Sequence, residues 1–175
     1  MTSYVLSVLG DDRAGLVEAL AAVVDDHGGN WERGHLARLG GKFAGLVQVT
    51  VPDQRGDAFL AALESLETRG LLDITADAAG DELEQPVGQP LGFEIVGNDH
   101  PGIVHEVSRL LASLDVNIVE LLTATESAAM DGATLFRARA DVRLPDGLSP
   151  DALVGELESL ATDLMVDIDA DVERS

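Results

Sequence analysis

The chain has 175 residues, 46% of them hydrophobic, which predicts a fully globular protein without room for a large catalytic domain. Its net charge of −21 disfavours binding to a phosphate backbone, because nucleic-acid affinity depends mainly on Lys and Arg side chains. It has no cysteine, which excludes disulfides, thiolate metal sites and a cysteine nucleophile.

The chain shows no sign of membrane insertion or export. No apolar run is as long as a membrane span, and the first residues, Met1 to Val5, lead directly into a predicted strand instead of a signal peptide. We therefore expect a soluble, cytoplasmic protein that makes no contact with a membrane.

The sequence contains two copies of one unit. The segment from Gly10 to Val17 recurs from Gly97 to Val104, a shift of 87 positions, and Asn30 recurs at the same shift as Asn117. Towards the end of each copy the shift grows to 94, so seven residues have been inserted. We expect this insertion in the turn around Ser127 to Gly132, because insertions of that size occur in loops.

Each copy is predicted to contain a strand, a helix, two strands, a helix and a strand. Apolar residues alternate with polar ones in the strands and recur three and four residues apart in the helices. The elements of the first copy are Tyr4–Val8, Leu16–His27, Asn30–Leu39, Phe43–Val51, Phe59–Leu66 and Leu72–Asp77. Those of the second copy are Leu91–Ile95, Ile103–Leu114, Asn117–Glu126, Phe136–Leu144, Leu153–Leu160 and Val166–Asp171.

This order of elements predicts an α+β fold, in which four antiparallel strands carry two helices on one face in a two-layer, ferredoxin-like unit. We place the units at residues 1–78 and 90–175. Residues 79–89, rich in acids, Gly and Pro, are the predicted linker. The first helix of each copy is predicted to bury Leu16 and Val17, or Ile103 and Val104. Because each unit is small, we expect the two to pack together or the chain to form a homodimer.

A glycine-bearing loop joins the first strand to the first helix in both copies. Asp12 and Asp99 are predicted to be N-caps, and Pro101 suits the opening turn of a helix. Gly15 and Gly102 leave room for a ligand near free N–H groups and the positive end of the helix dipole, where a carboxylate fits. The same residues are also expected in a plain capped turn that binds nothing.

Asn30 and Asn117 each open the strand after the first helix, which we expect to place them beside the glycine-bearing loop. A side-chain amide offers both a donor and an acceptor, which suits the amino and carboxylate groups of a free amino acid. A left-handed turn position before a strand is the alternative explanation for these residues.

The heptapeptide Gly97–Ile103, the order of elements and Asn117 resemble the ACT domain, a small regulatory module that binds amino acids, usually at interfaces between paired domains. Two such domains in tandem resemble the glycine cleavage system transcriptional repressor family. The resemblance implies one ligand site formed by Asp99, His100, Pro101, Gly102, Ile103 and Asn117. It implies a counterpart formed by Asp12, Arg13, Ala14, Gly15, Leu16 and Asn30. Ala14 replaces the family's proline, so the second copy carries the fuller pattern.

Other candidate sites are weaker. His100 and His105 lie five residues apart across the start of a helix. Their side chains are therefore expected on different sides of the helix, too far apart to bind one metal ion. A phosphate-binding loop would need Lys and Ser or Thr where Ile103 and Val104 stand. We identify no catalytic constellation and no cofactor site.

A basic stripe, Arg137, Arg139 and Arg143, is predicted on the open face of the second sheet. We expect these arginines to pair with acids such as Asp141 or Glu126 across strands, or to face a partner protein.

Together these features predict a non-enzymatic amino-acid sensor that acts through a protein partner and does not bind nucleic acid itself. Glycine and serine are the first candidate ligands. The alternatives are an accessory or regulatory subunit of an amino-acid or one-carbon metabolic enzyme, and a structural interaction module with inactive ligand sites.

Overall fold

The computed structural model describes residues 1–79, 88–127 and 134–171. The chain divides into two compact units, Met1–Leu83 and Glu84–Ser175. Each unit contains four strands and two α-helices in the order predicted from the sequence, and each has one antiparallel four-stranded sheet. The prediction of two ferredoxin-like α+β units is confirmed.

The first unit is a sheet in the order β2-β3-β1-β4, with both helices on one face. Its elements are β1 (Thr2–Asp11), α1 (Leu16–Asp26), β2 (Asn30–Leu39), β3 (Lys42–Val51), α2 (Gly56–Thr68) and β4 (Asp73–Ala79), with a 3-10 turn (Asp53–Arg55) before α2. The side chains of Leu6, Val47 and Phe59 are completely buried between the sheet and the helices. The alternation of the strands therefore gives the sheet one covered and one open face.

The second unit repeats this arrangement with the sheet order β6-β7-β5-β8. Its elements are β5 (Gln89–Asn98), α3 (Ile103–Ser113), β6 (Asn117–Ser127), β7 (Thr134–Leu144), α4 (Pro150–Leu164) and β8 (Val166–Asp171). Helix α4 begins with a side-chain cap, because the Ser149 hydroxyl accepts a hydrogen bond from the Ala152 N–H at 3.2 Å. Two residues of this helix, Leu153 and Leu157, have completely buried side chains.

Two features predicted from the sequence fall partly outside the described ranges. Strand β4 ends at Ala79 and β5 begins at Gln89, so these strands include the outer residues of the predicted linker, and residues 80–87 are not described. The predicted insertion begins at Ser127, the last residue of β6, and residues 128–133 also lie outside the described ranges.

The prediction that Val17 and Val104 are buried with their neighbours is wrong, because their side chains are 46% and 42% exposed. Each valine follows a fully buried residue and is rotated about 100° around the helix from it. In α1 the buried stripe consists of Leu16, Leu20 and Val24, which is narrower than the apolar face read from the sequence.

Within the described ranges, none of the helices combines the length and the apolar character needed to cross a membrane.

We predict that Leu6→Ala lowers the free energy of unfolding by about 2–5 kcal/mol, because it leaves a cavity in a closely packed core. Leu46→Ala is the matched control. Leu46 lies on the neighbouring strand β3, but its side chain is on the open face and is 54% exposed. We expect the control to change stability by less than about 0.5 kcal/mol. Urea denaturation followed by circular dichroism measures both, and equal losses would contradict the assignment of the covered face.

Candidate functional site

The glycine-bearing loop of each unit leads into a helix whose N-cap is a glycine. Strand β1 ends at Asp11 and α1 begins at Leu16, with Gly15 as N-cap at φ 91°. Gly102 holds the same place before α3, at φ 103°. These are left-handed conformations, which a glycine adopts without the strain that a Cβ would cause.

The prediction that Asp12 and Asp99 are N-caps is therefore wrong, because each lies three residues before the glycine that takes that position. No side chain caps either helix. Pro101 likewise precedes the N-cap instead of lying in the first turn of α3.

The start of each helix is open to approach. A Cβ atom built on Gly15 or Gly102 would meet no heavy atom of the described residues within 4 Å. The first N–H groups of a helix have no acceptor within the helix, and they lie at the positive end of its dipole. An uncapped and unobstructed helix start of this kind can receive a carboxylate.

A second pair of glycines, Gly10 and Gly97, is required because other parts of the chain pack closely against them. A Cβ on Gly10 would lie 2.7 Å from the Leu71 carbonyl oxygen, and one on Gly97 would lie 2.5 Å from Cγ1 of Val166. Both distances are too short for a side chain. These glycines therefore allow the end of the first strand to approach the chain closely where the last strand of its unit begins.

Arg13 and His100, both predicted site residues, hold their loops to the end of the second helix. The Arg13 guanidinium donates a hydrogen bond to the Gly70 carbonyl oxygen. At the equivalent place, Nε2 of His100 lies 3.3 Å from the Leu164 carbonyl oxygen, and Nδ1 lies 3.2 Å from that of Pro101. The same contact in both copies indicates a structural role that sequence reasoning missed.

The acidic residue of the loop differs in its partners between the two copies. The Asp12 carboxylate forms an ion pair with Arg38 of β2. The residue at the equivalent position of β6 is Thr125. Asp99 is exposed, and its carboxylate has no hydrogen bond or ion pair with any residue that the structure describes. The second loop therefore presents a free carboxylate, whereas the first presents one that is already neutralised.

The remaining loop residues contribute mainly backbone atoms. Leu16 and Ile103 are only 2% exposed, so their side chains belong to the cores and only their N–H groups face the loop. Ala14 and Pro101 are exposed. The N–H of Asp99 is bound to the Thr134 carbonyl oxygen at 2.8 Å, which fixes the loop against the start of β7.

The prediction that Asn30 lies beside the loop of its own unit is wrong. Asn30 pairs with Thr50 of β3, whereas the residue before the loop, Asp11, pairs with Lys42. Eight residues of strand separate Lys42 and Thr50, which is about 27 Å. Strands β1 and β2 both run antiparallel to β3 and therefore start at the same end of the sheet, opposite the loop.

Asn117 is placed in the same way. It pairs with Arg143, whereas Asn98, which precedes the second loop, pairs with Leu135.

The side chain of Asn30 is engaged at its own end of the sheet. Its amide donates a hydrogen bond to the Glu32 carboxylate at 2.8 Å, and the Thr50 hydroxyl donates another at 3.0 Å. These two donors hold the pKa of Glu32 below its ordinary value. Val119 occupies the place of Glu32 in the second copy, so this network is absent from it.

No group of three or more His, Cys, Asp or Glu within the described ranges is arranged to hold a metal ion.

Comparison with known proteins connects this loop geometry to a family. The family model of the ACT domain matches residues 2–76. The structure of an unknown protein from Galdieria sulphuraria is 34% identical, with a TM-score of 0.84 and coverage of 97% of this chain and 96% of that one. The first unit therefore belongs to the ACT-domain family, and the second unit repeats its order of elements. No curated protein sequence matches it.

A second solved structure also resembles the chain over nearly its full length. It is assigned as a glycine cleavage system transcriptional repressor and is 16% identical, with a TM-score of 0.67 and coverage of 97% of this chain and 96% of that one. At this identity the likeness concerns the fold.

We predict that Lys42→Gln raises the pKa of Asp11. The hydrogen bond and charge of Lys42 hold this pKa below its ordinary value, and Asp11 in turn raises the pKa of Lys42. A lowered native pKa means that the Asp11 contribution to stability is present above the unfolded pKa and is lost as the pH falls through the native pKa.

Carboxyl NMR titration measures the change. Asp53, whose pKa is lowered by the N-terminal amine and Thr2, is the internal control and should not move. An unchanged Asp11 pKa in the variant would contradict the pairing at the edge of the first loop.

Proposed function

We propose that this protein is a non-enzymatic regulatory protein that binds a free amino acid at the loop from Asp99 to Ile103. The observation that carries the proposal is the uncapped start of α3 behind Gly102, whose surroundings are open. The ligand's carboxylate accepts hydrogen bonds from the first N–H groups of α3. Its ammonium group is attracted by the free carboxylate of Asp99.

In this proposal the second loop binds an amino acid more tightly than the first, because the two loops differ in charge pairing and in backbone rigidity. An ammonium group approaching Asp12 competes with the Arg38 guanidinium, which already neutralises that carboxylate. Ala14 also lacks the fixed backbone angle that Pro101 contributes, so the first loop loses more conformational entropy on closing around a ligand. We therefore assign the working site to the second unit.

Asn117 takes part in this site only across an interface, because it lies at the far end of its own sheet. We propose a homodimer as the assembly that supplies this amide to the loop of a second copy. A ligand bound across such an interface stabilises the paired state over the separate one, which is the differential affinity that a switch requires.

The regulatory output passes through a protein partner in this proposal. The solved structure assigned as a glycine cleavage system transcriptional repressor supports a role in the control of amino-acid metabolism, with glycine and serine as first ligands. Direct contact with DNA is disfavoured by the net charge of −21.

We predict that Asp99→Asn weakens binding of glycine or serine by about tenfold or more, because a charge-assisted contact to the ammonium group is lost. Asp12→Asn is the matched control and should leave the affinity unchanged, because its carboxylate is engaged with Arg38. Isothermal titration calorimetry on the full chain measures both. Equal effects of the two variants would contradict the assignment to the second unit, and an absence of amino-acid binding to the unmodified chain would contradict the function.

We predict that Gly102→Val blocks the approach of the ligand, whereas Gly15→Val does not. Both glycines have a positive φ and open surroundings, so the two substitutions bring similar backbone strain. Thermal unfolding followed by circular dichroism should show similar losses of stability. A difference in amino-acid affinity between the variants then reports the ligand contact itself, and identical affinities would contradict the site.

We predict that the isolated protein does not bind duplex DNA with a dissociation constant below about 1 μM at physiological salt. Fluorescence anisotropy with a labelled duplex measures this. Tighter binding would show that regulation does not need a protein partner.

A further inference from the structure

The basic stripe of β7 lies on the open face of the second sheet, as predicted, but its partners differ from those expected. Arg137 pairs with Glu94 of β5 at 3.9 Å, and not with Asp141 or Glu126. Arg139, the next residue of the stripe on the same face, has no ion pair and no side-chain hydrogen bond with any residue that the structure describes. An unpaired guanidinium is unexpected on a protein that has many more acidic than basic residues.

Arg139 borders a depression in this open face. The depression has a volume of about 190 Å³ and is lined by Gly92, Phe93, Glu94, Arg139 and Asp169. In the sheet, Glu94 stands directly opposite Arg139 on one side and Asp169 on the other. Like Arg139, Asp169 has no ion pair within the described ranges.

Gly92 makes the depression possible because it has no side chain. Its backbone is not in the left-handed region, so the conformation does not require a glycine. A Cβ atom there would lie 3.2 Å from Oδ1 of Asp141, the end of a flexible side chain. A larger residue would therefore fit the strand, and its side chain would occupy the depression.

The lining carries charges of both signs. Glu94 and Asp169 are negative and Arg139 is positive, which gives a net charge of −1.

The first unit lacks this arrangement. Ser7 holds the place of Glu94 there, and its neighbours across the sheet are Leu46 and Thr75, both uncharged. The charged depression is therefore a property of the second unit and does not follow from the fold.

We propose that this depression is a second small-molecule site, which binds a basic amino acid with one carboxylate and two cationic groups. The Arg139 guanidinium receives the carboxylate, because its planar donors match the two oxygens. Asp169, which has no ion pair, receives one cationic group, and Glu94, whose carboxylate lies 3.9 Å from the Arg137 guanidinium without a hydrogen bond to it, receives the other. A ligand of charge +1 neutralises the lining, which neither a neutral amino acid nor a diamine does.

The site is open to solvent, so its affinity is modest and falls as salt is added. It lies on the sheet face away from the helices, and it functions whether or not the loop at Gly102 binds a ligand.

Titration of the full chain with L-lysine, monitored by ¹⁵N NMR, tests the proposal. The amide signals of Gly92 and Glu94 should move with L-lysine. Norleucine, which lacks the second amine, and cadaverine, which lacks the carboxylate, should each bind about tenfold more weakly or worse. Equal binding of all three compounds, or no movement of these signals, would overturn the proposal.

Variants locate the site. Arg139→Gln should weaken L-lysine binding about tenfold, and Gly92→Val should abolish it by filling the depression. Arg143→Gln is the matched control on the same strand and face, and it should bind as the unmodified chain does. Circular dichroism establishes that each variant is folded. Unchanged L-lysine affinity in folded Arg139→Gln and Gly92→Val would refute the site.

Gly102→Val separates this site from the proposed amino-acid loop. It should leave L-lysine binding at the depression unchanged even if the loop binds nothing. Loss of L-lysine binding in Gly102→Val alone would show that lysine binds at the loop, which would overturn this second site without affecting the proposed function.

Discussion

Coverage of only one face of each sheet by helices is the constraint on which the rest of this molecule depends. In each unit the central strands bury alternate residues under two helices, as Leu6 and Val47 do in the first unit. The chain must therefore leave the sheet after its first strand, turn into a helix and return. That turn is where the glycine N-cap lies, and it exposes the start of the helix at one end of the sheet. The other face stays open, so its residues are free to take on charge.

The sequence predicted the eight strands and four α-helices that the structure describes, because the two apolar periodicities are strong and occur twice, but it did not predict the 3-10 turn before α2. It did not predict the geometry at the ends of these elements. Asp99 has the residue type of an N-cap, but the cap position depends on where φ becomes positive, which is set at Gly102. Asn117 closely follows the first helix of its unit, whereas the loop precedes that helix. The helix runs back along the sheet, so Asn117 lies at the opposite end, about 27 Å from the loop along the strands. The pattern of apolar residues identifies helices and strands well. It does not show at which end of the sheet a residue lies, which depends on the order and direction of the strands.

Comparison of the two copies distinguishes the contacts that maintain the fold from the groups that are available to a ligand. The glycines at the ends of β1 and β5, Gly10 and Gly97, make the same close approach in both copies, and Arg13 and His100 make the same contact with the end of the second helix. Interactions present in both units are explained by packing alone. The differences are more informative for function, because the fold is maintained with or without them.

Two such differences support the proposal that the ligand sites lie in the second unit. In the loop, Arg38 neutralises Asp12 in the first copy, while Thr125 leaves Asp99 free in the second. On the open face, an uncharged group of side chains in the first unit is replaced by Glu94, Arg139 and Asp169 around Gly92. Exposed charges contribute little to stability, whether unpaired like Asp99, Arg139 and Asp169 or paired at the surface like Glu94 with Arg137, so their loss would cost the fold almost nothing. Their presence at both places in the second copy alone is not accounted for by packing, and it therefore supports the two proposed sites.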